Sequence, residues 1–158
     1  MTFSLICIAI GLASALVAGV FQSFSDFVMR GLVAAAPASG MESMQHINRT
    51  VFRSVFLILF FVLVPTTIGA AIYSHLTISG AAAQLIALGM MIYVSSVFCV
   101  TLWGNVPMNN RLDCQALDGP EAQAYWAHYA KRWTYWNHVR TLGSLATATC
   151  FILAAVQL

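Results

Sequence analysis

Charge is what this 158-residue chain has least of: only 8% of its residues are Asp, Glu, Lys or Arg, and Met1–Ser25, Ser54–Asn110 and Thr141–Leu158 contain none. Soluble domains carry roughly 25% charged residues, so with 60% hydrophobic residues an ordinary soluble fold is excluded. Catalytic punctuation is missing too. There is no G-x-S-x-G elbow and no phosphate-binding glycine loop, which argues against hydrolase and kinase chemistry. Cys7, Cys99, Cys114 and Cys150 form no C-x-x-C pair, and three of them lie in apolar runs, so they read as packing residues. The net charge of +2 is split evenly: three Arg against two acids in the first charged window, four basic residues against three acids in the second. No nucleic-acid partner is expected from that balance.

The charges that are present fall between Asp26 and Arg53 and between Arg111 and Arg140. A helix rises about 1.5 Å per residue, so roughly 20 apolar residues cross a bilayer core of about 30 Å. Four segments meet that need, at residues 2–22, 55–73, 81–103 and 139–157. Each charged window joins an outward span to a returning one, so both windows lie at the same end of the bundle. They hold all seven Lys and Arg, which predicts that this end is cytoplasmic and that both termini are outside, as in a bacterial inner membrane. Ala13-Ser14-Ala15 resembles a cleavage site, but no Lys or Arg precedes the run, so the segment is expected to stay as a helix. The expected fold is all-α: one domain, residues 1–158, a four-helix transmembrane bundle whose helices extend into a polar cap (residues 23–54 and 104–140) on the cytoplasmic side.

Local signals support that extension. Asp26 and Arg30 stand four apart in the favourable order for a continuing first helix. Ser39-Gly40-Met41-Glu42 has capping-box spacing and predicts a second helix starting near Met41. Asp118-Gly119-Pro120-Glu121 predicts a fourth starting at Glu121. Pro65 should kink the second span, with Thr66 or Thr67 taking the freed carbonyl. Gly11, Ala15 and Gly19, and again Gly143, Ala146, Cys150 and Ala154, form small-residue stripes that suit close helix contact, within one bundle or between chains.

The cap holds the distinctive residues. Trp126, Tyr129, Trp133, Trp136 and Arg140 recur at steps of three and four, with Asn137 beside Trp136. An interfacial aromatic belt accounts for Trp126 and Tyr129. Asn137 and Arg140 fit it less well, being polar groups at the edge of a span. Asn105-Val106-Pro107-Met108-Asn109 reads as a proline turn after the third span, and Gln45-His46-Ile47-Asn48-Arg49 lies at the same level.

Together with Phe24-Ser25-Asp26-Phe27-Val28-Met29, Met44 and Arg111-Leu112, these residues resemble the anthrone oxygenase family of small four-helix membrane proteins. The resemblance covers essentially the whole chain, and its distinctive part is the Asn-Val-Pro-x-Asn segment followed by Trp, Asn and Arg on the last helix. It implies oxidation of an aromatic or phenolic substrate by dioxygen without metal or flavin. Such chemistry needs a base, for which His46, His138 and Asp26 are candidates, and donors for an enolate oxygen, for which Arg140, Asn137, Asn109, Asn48 and Asn105 are candidates. Trp133 and Trp136 would stack on a planar ring. No metal site is expected. Three other readings stay open: a purely structural cap in which Arg140 pairs with Asp26; haem or copper held between His46 and His138; and a non-enzymatic module that binds a lipid or quinone or serves another membrane complex.

Overall fold

In a bilayer core no water is available to backbone groups, so each apolar run must satisfy its N–H and C=O groups within itself. A computed structural model describes residues 1–117 and 119–158 and shows helices throughout, with no strand among the described residues. We number them α1 (Thr2–Ala34), α2 (Pro37–Thr50), α3 (Val55–Thr77), α4 (Ala81–Asp113) and α5 (Pro120–Val156). All but α2 are long and apolar enough to cross a membrane, so the chain is an all-α bundle with four helices of membrane-spanning length, as an integral membrane protein requires. α1, α4 and α5 run unbroken from the apolar bundle into the charged end. There α2 lies across them: Gln45 Nε2 donates to the carbonyls of Leu112 (2.9 Å) and Gln115 (3.2 Å). The two charged windows therefore meet.

Several local expectations change. The second helix starts at Pro37, not Met41, because a proline in the first turn needs no donor partner and presets φ, and no side chain caps it. It does not run on into the second span. A 3₁₀ turn at Val51–Arg53 breaks it, and Ser54 caps α3 afresh by accepting from the Leu57 N–H at 3.2 Å. Asn105–Asn109 is no turn: π-helical segments at Tyr93–Cys99 and Thr101–Asn105 widen α4 just before Pro107, and the helix continues to Asp113. Thr66 and Thr67 donate to the carbonyls of Val62 (2.9 Å) and Leu63 (2.7 Å), one turn before themselves, rather than to that of Phe61. The fourth helix does begin where expected, at Pro120 after Gly119 (φ 105°), while Asp118 lies outside the described residues.

Packing is uneven around the bundle. α5 lies along α1 and α4, whereas α3 packs only on those two and stays clear of α5. Glycines set the α4–α5 contact: a Cβ at Gly143 would collide with Ser96, and one at Gly89 would come within 2.9 Å of the Phe151 ring. The stripe from Gly143 to Ala154 thus faces α4. The other stripe is displaced: Gly11 backs onto α5, but Gly19 is exposed, and Ser14 and Ala18 complete the buried face. A strict four-residue step drifts off the face of a helix with 3.6 residues per turn.

Buried apolar side chains form two clusters, one in the bilayer part around Phe60, Ile86, Tyr93 and Phe151, the other in the cap around Met41, Met44, Trp126 and Tyr129. Between them lies a polar layer of Ser25, Thr101, Asn105, Asn137, Arg140 and Thr141. Beyond Cys99, α4 and α3 part company, and near this layer the gap between them becomes a cavity.

Candidate active site

Arg140 is the centre of the polar layer. Its position on the inner face of α5 leaves it 5% exposed, and no carboxylate lies within 4.0 Å of it among the described residues. One guanidinium nitrogen donates to Asn137 Oδ1 at 2.7 Å and another, at 3.5 Å, reaches Thr101 Oγ1. The group lies over two rings, 4.3 Å from the centre of Phe21 and 5.1 Å from that of Trp133, whose faces favour a cation. Its Nε has no partner among the described residues. Asp26 is elsewhere: exposed, it pairs with Arg30 at 2.8 Å, so the Arg140–Asp26 pairing is not formed.

Asn137 fixes that arginine. Fully buried one turn before it, Asn137 donates through Nδ2 to the Phe21 carbonyl (2.6 Å) and to Ser25 Oγ (2.8 Å), which turns its Oδ1 toward the guanidinium. The Phe21 carbonyl is diverted to a side chain just where α1 becomes π-helical at Phe24–Val28. The bulge and the amide are parts of one arrangement.

Asn109 is oriented by a similar logic. Tyr129 Oη and Trp133 Nε1 both donate to its Oδ1, each at 2.9 Å, so its Nδ2 is directed away from them. Burial holds the Tyr129 phenol above the usual tyrosine range, against the opposing pull of the Asn48 amide and the Arg140 charge, so it remains a neutral donor. Asn48 is itself buried, near enough to the Tyr129 hydroxyl to act on it, yet its Nδ2 makes no hydrogen bond of good geometry among the described residues.

Arg140, Asn48, Asn109, Thr101 and Trp133 line one cavity of about 230 Å³, completed by Phe21, Phe24, Met44, Phe56 and Phe60. It is somewhat below the range of roughly 300–1,000 Å³ typical of small-molecule sites. Toward the bilayer its rim is Phe52, Phe61, Leu102 and Val106, all exposed, at the break between α2 and α3. At the charged end its mouth holds Arg49 and Asp113, joined at 2.7 Å. A second, larger groove of about 620 Å³ lies between α1 and α3 in the apolar part and has no charged lining residue.

Arg140, Asn48, Asn109, Trp133 and, through Arg140, Asn137 are brought together; the other expected residues are not. His46 and His138 are exposed on outer faces, and neither they nor Asp26 line the cavity. Among the described residues no group of three His, Cys, Asp or Glu could hold a metal ion. Trp136 packs on Gly104 and under Arg132 (5.0 Å) outside the cavity, and Asn105 is buried against the Trp133 carbonyl at 3.2 Å. Trp126 and Tyr129 belong to no belt: they are 4% and 0% exposed, in the cap core. Trp103 and Tyr135, by contrast, are exposed. Asp113 and the wall residues Phe21, Phe56 and Phe60 were not singled out in the sequence; the spacing of Asp113 four residues after Asn109 was the available signal.

The family model for anthrone oxygenases matches residues 41–150. The chain belongs to that family. The match takes in Asn48, Asn109, Asp113, Trp133, Asn137 and Arg140, and leaves out α1, which supplies Phe21 and Ser25. Comparison with the curated proteins and with the solved structures finds no match.

Proposed function

We propose that the cavity binds a planar aromatic ketone of the anthrone type and promotes its oxidation by dioxygen. The observation that carries this reading is the buried Arg140 with Asn48 beside the same cavity, Arg140 without a carboxylate partner and each with an N–H donor lacking a partner among the described residues. A buried charge without a counter-charge costs several kcal/mol, and a ligand oxygen that becomes an anion offsets that cost. Such a wall of donors suits an acceptor oxygen, and the phenylalanines with Trp133 suit flat rings.

The chemistry then follows from the substrate. Loss of a methylene proton leaves an enolate whose oxygen faces Arg140, Asn48 and Asn109. The electron-rich carbon reacts with dioxygen, a C–O bond forms, and the peroxide takes a proton. Departure of water from that hydroperoxide leaves a second carbonyl, so one O₂ converts CH₂ into C=O and H₂O. The protein contributes orientation, stabilisation of negative charge and exclusion of water, and this route uses no metal, haem or flavin. The seven Lys and Arg at the cap support a reading in which it faces the cytoplasm of a bacterial inner membrane, with both termini on the other side.

The test is oxygen uptake by the detergent-purified protein given a simple anthrone, before and after chelation of metals. Arg140→Ala and Asn137→Ala are expected to lower turnover about 10²- to 10³-fold, the usual effect of losing a donor to an oxyanion, while helix content is unchanged. Undiminished turnover in both variants overturns the assignment. Tight binding of a quinone without oxygen uptake would make the protein a binding module instead.

A further inference from the structure

We propose that Asp113 is the base that removes the ligand's methylene proton; this rests on the anthrone reading above. Asp113 is the one carboxylate lining the cavity among the described residues. It stands one helical turn beyond Asn109 on α4, so the two present side chains to the same space. Arg49 grips it from α2 through Nε (2.8 Å) and Nη2 (2.7 Å), and both bonds go to Oδ1. Oδ2 has no protein partner among the described residues. The side chain is 42% exposed whereas Arg140 is 5% exposed, so the carboxylate is at the wet mouth and the guanidinium at the dry interior.

That separation is what an anthrone requires. Its acidic methylene and its carbonyl lie on opposite edges of the central ring, so the base must reach one edge of that ring and the oxygen donors the other. Oδ2 of Asp113 takes the proton, the C–H electron pair moves through the ring to the carbonyl oxygen, and Arg140, Asn48 and Asn109 receive the negative charge. The proton passes on to water at the mouth. An aspartate base paired with donors to a developing enolate is an established solution for removing a proton next to a carbonyl system. Arg49 is a positioning residue: by occupying Oδ1 it leaves the other oxygen facing the ligand.

Proton removal is separable from the reaction with oxygen. The experiment follows loss of deuterium from dithranol, a dihydroxyanthrone, labelled at the ring methylene, without oxygen, with full-length protein in lipid vesicles. Wild type is expected to accelerate exchange over vesicles alone; Asp113→Asn should lose at least 100-fold of that acceleration and the acid limb of its pH profile. Asp113→Glu should recover a substantial part. Both variants should quench tryptophan fluorescence with anthraquinone as wild type does, showing an intact cavity. Exchange by Asp113→Asn at the wild-type rate, with Arg140→Ala slow, overturns the inference and leaves the anthrone reading standing. Wild type that neither exchanges deuterium nor consumes oxygen overturns both.

Discussion

α3 and α5 reverse the rule learned from soluble proteins. α3 is the more apolar, with a mean hydropathy of 2.6 in its best window against 1.6 for α5, yet 28% of that window is buried against 56%. Lipid is as good a solvent for Phe and Leu as a protein core is, so apolar residues do not drive a helix inward. Small and polar residues do. Gly143, Ser144, Thr147 and Ala148 bring α5 against its neighbours, and Asn137 and Arg140 oblige it to find partners. α3 offers mainly Phe, Leu, Val and Ile, touches two helices and leaves a gap, and the cavity lies in that gap.

The contrast can be broken most severely by filling its tightest point. Gly143→Leu places a side chain where Ser96 and Val97 already stand and should destabilise the bundle by about 1–3 kcal/mol, as overpacking generally does. The same substitution at Gly69 of α3, where nothing lies within 4 Å, should change stability by less than about 0.5 kcal/mol. Unfolding in mixed detergent, followed by circular dichroism, compares the pair; equal effects would mean that the two helices are packed alike. A smaller effect is expected from Tyr129→Phe, which removes one of two donors on Asn109 while Trp133 still orients it. About 1 kcal/mol, or roughly fivefold weaker anthraquinone binding, should result, readable as fluorescence quenching. The smallest belongs to the outer face of the cap: His46→Ala and His138→Ala should leave oxygen uptake within about twofold of wild type, both side chains being exposed and outside the cavity. A large loss in either would return the base to a histidine.

Charge placement alone made the spans and the common polar end legible, because a bilayer forbids bare charges and fixes helix length. The interruption of the second helix was not legible. Thr50 to Ser54 contains neither Gly nor Pro, and the break depends on a serine that caps only once the chain turns. For the site, spacing on α5 brought Trp133, Asn137 and Arg140 to one face, and those residues do converge. The candidate bases were chosen by level along the bundle, which says nothing of the angle around a helix. His138 follows Asn137 by a single residue and so points about 100° away, to the outside. Asp113 was not singled out because the segment before it read as a turn; with α4 helical through Pro107 it falls in line with Asn109.

The parting of α3 from the end of α4 has a kinetic consequence. Because the rim of Phe52, Phe61, Leu102 and Val106 is apolar and exposed, a ligand of the proposed kind dissolved in the membrane would arrive by diffusion in two dimensions. The site would then sense the mole fraction of ligand in the lipid, not its concentration in water, and a compound nearly insoluble in water would still be abundant where it is bound.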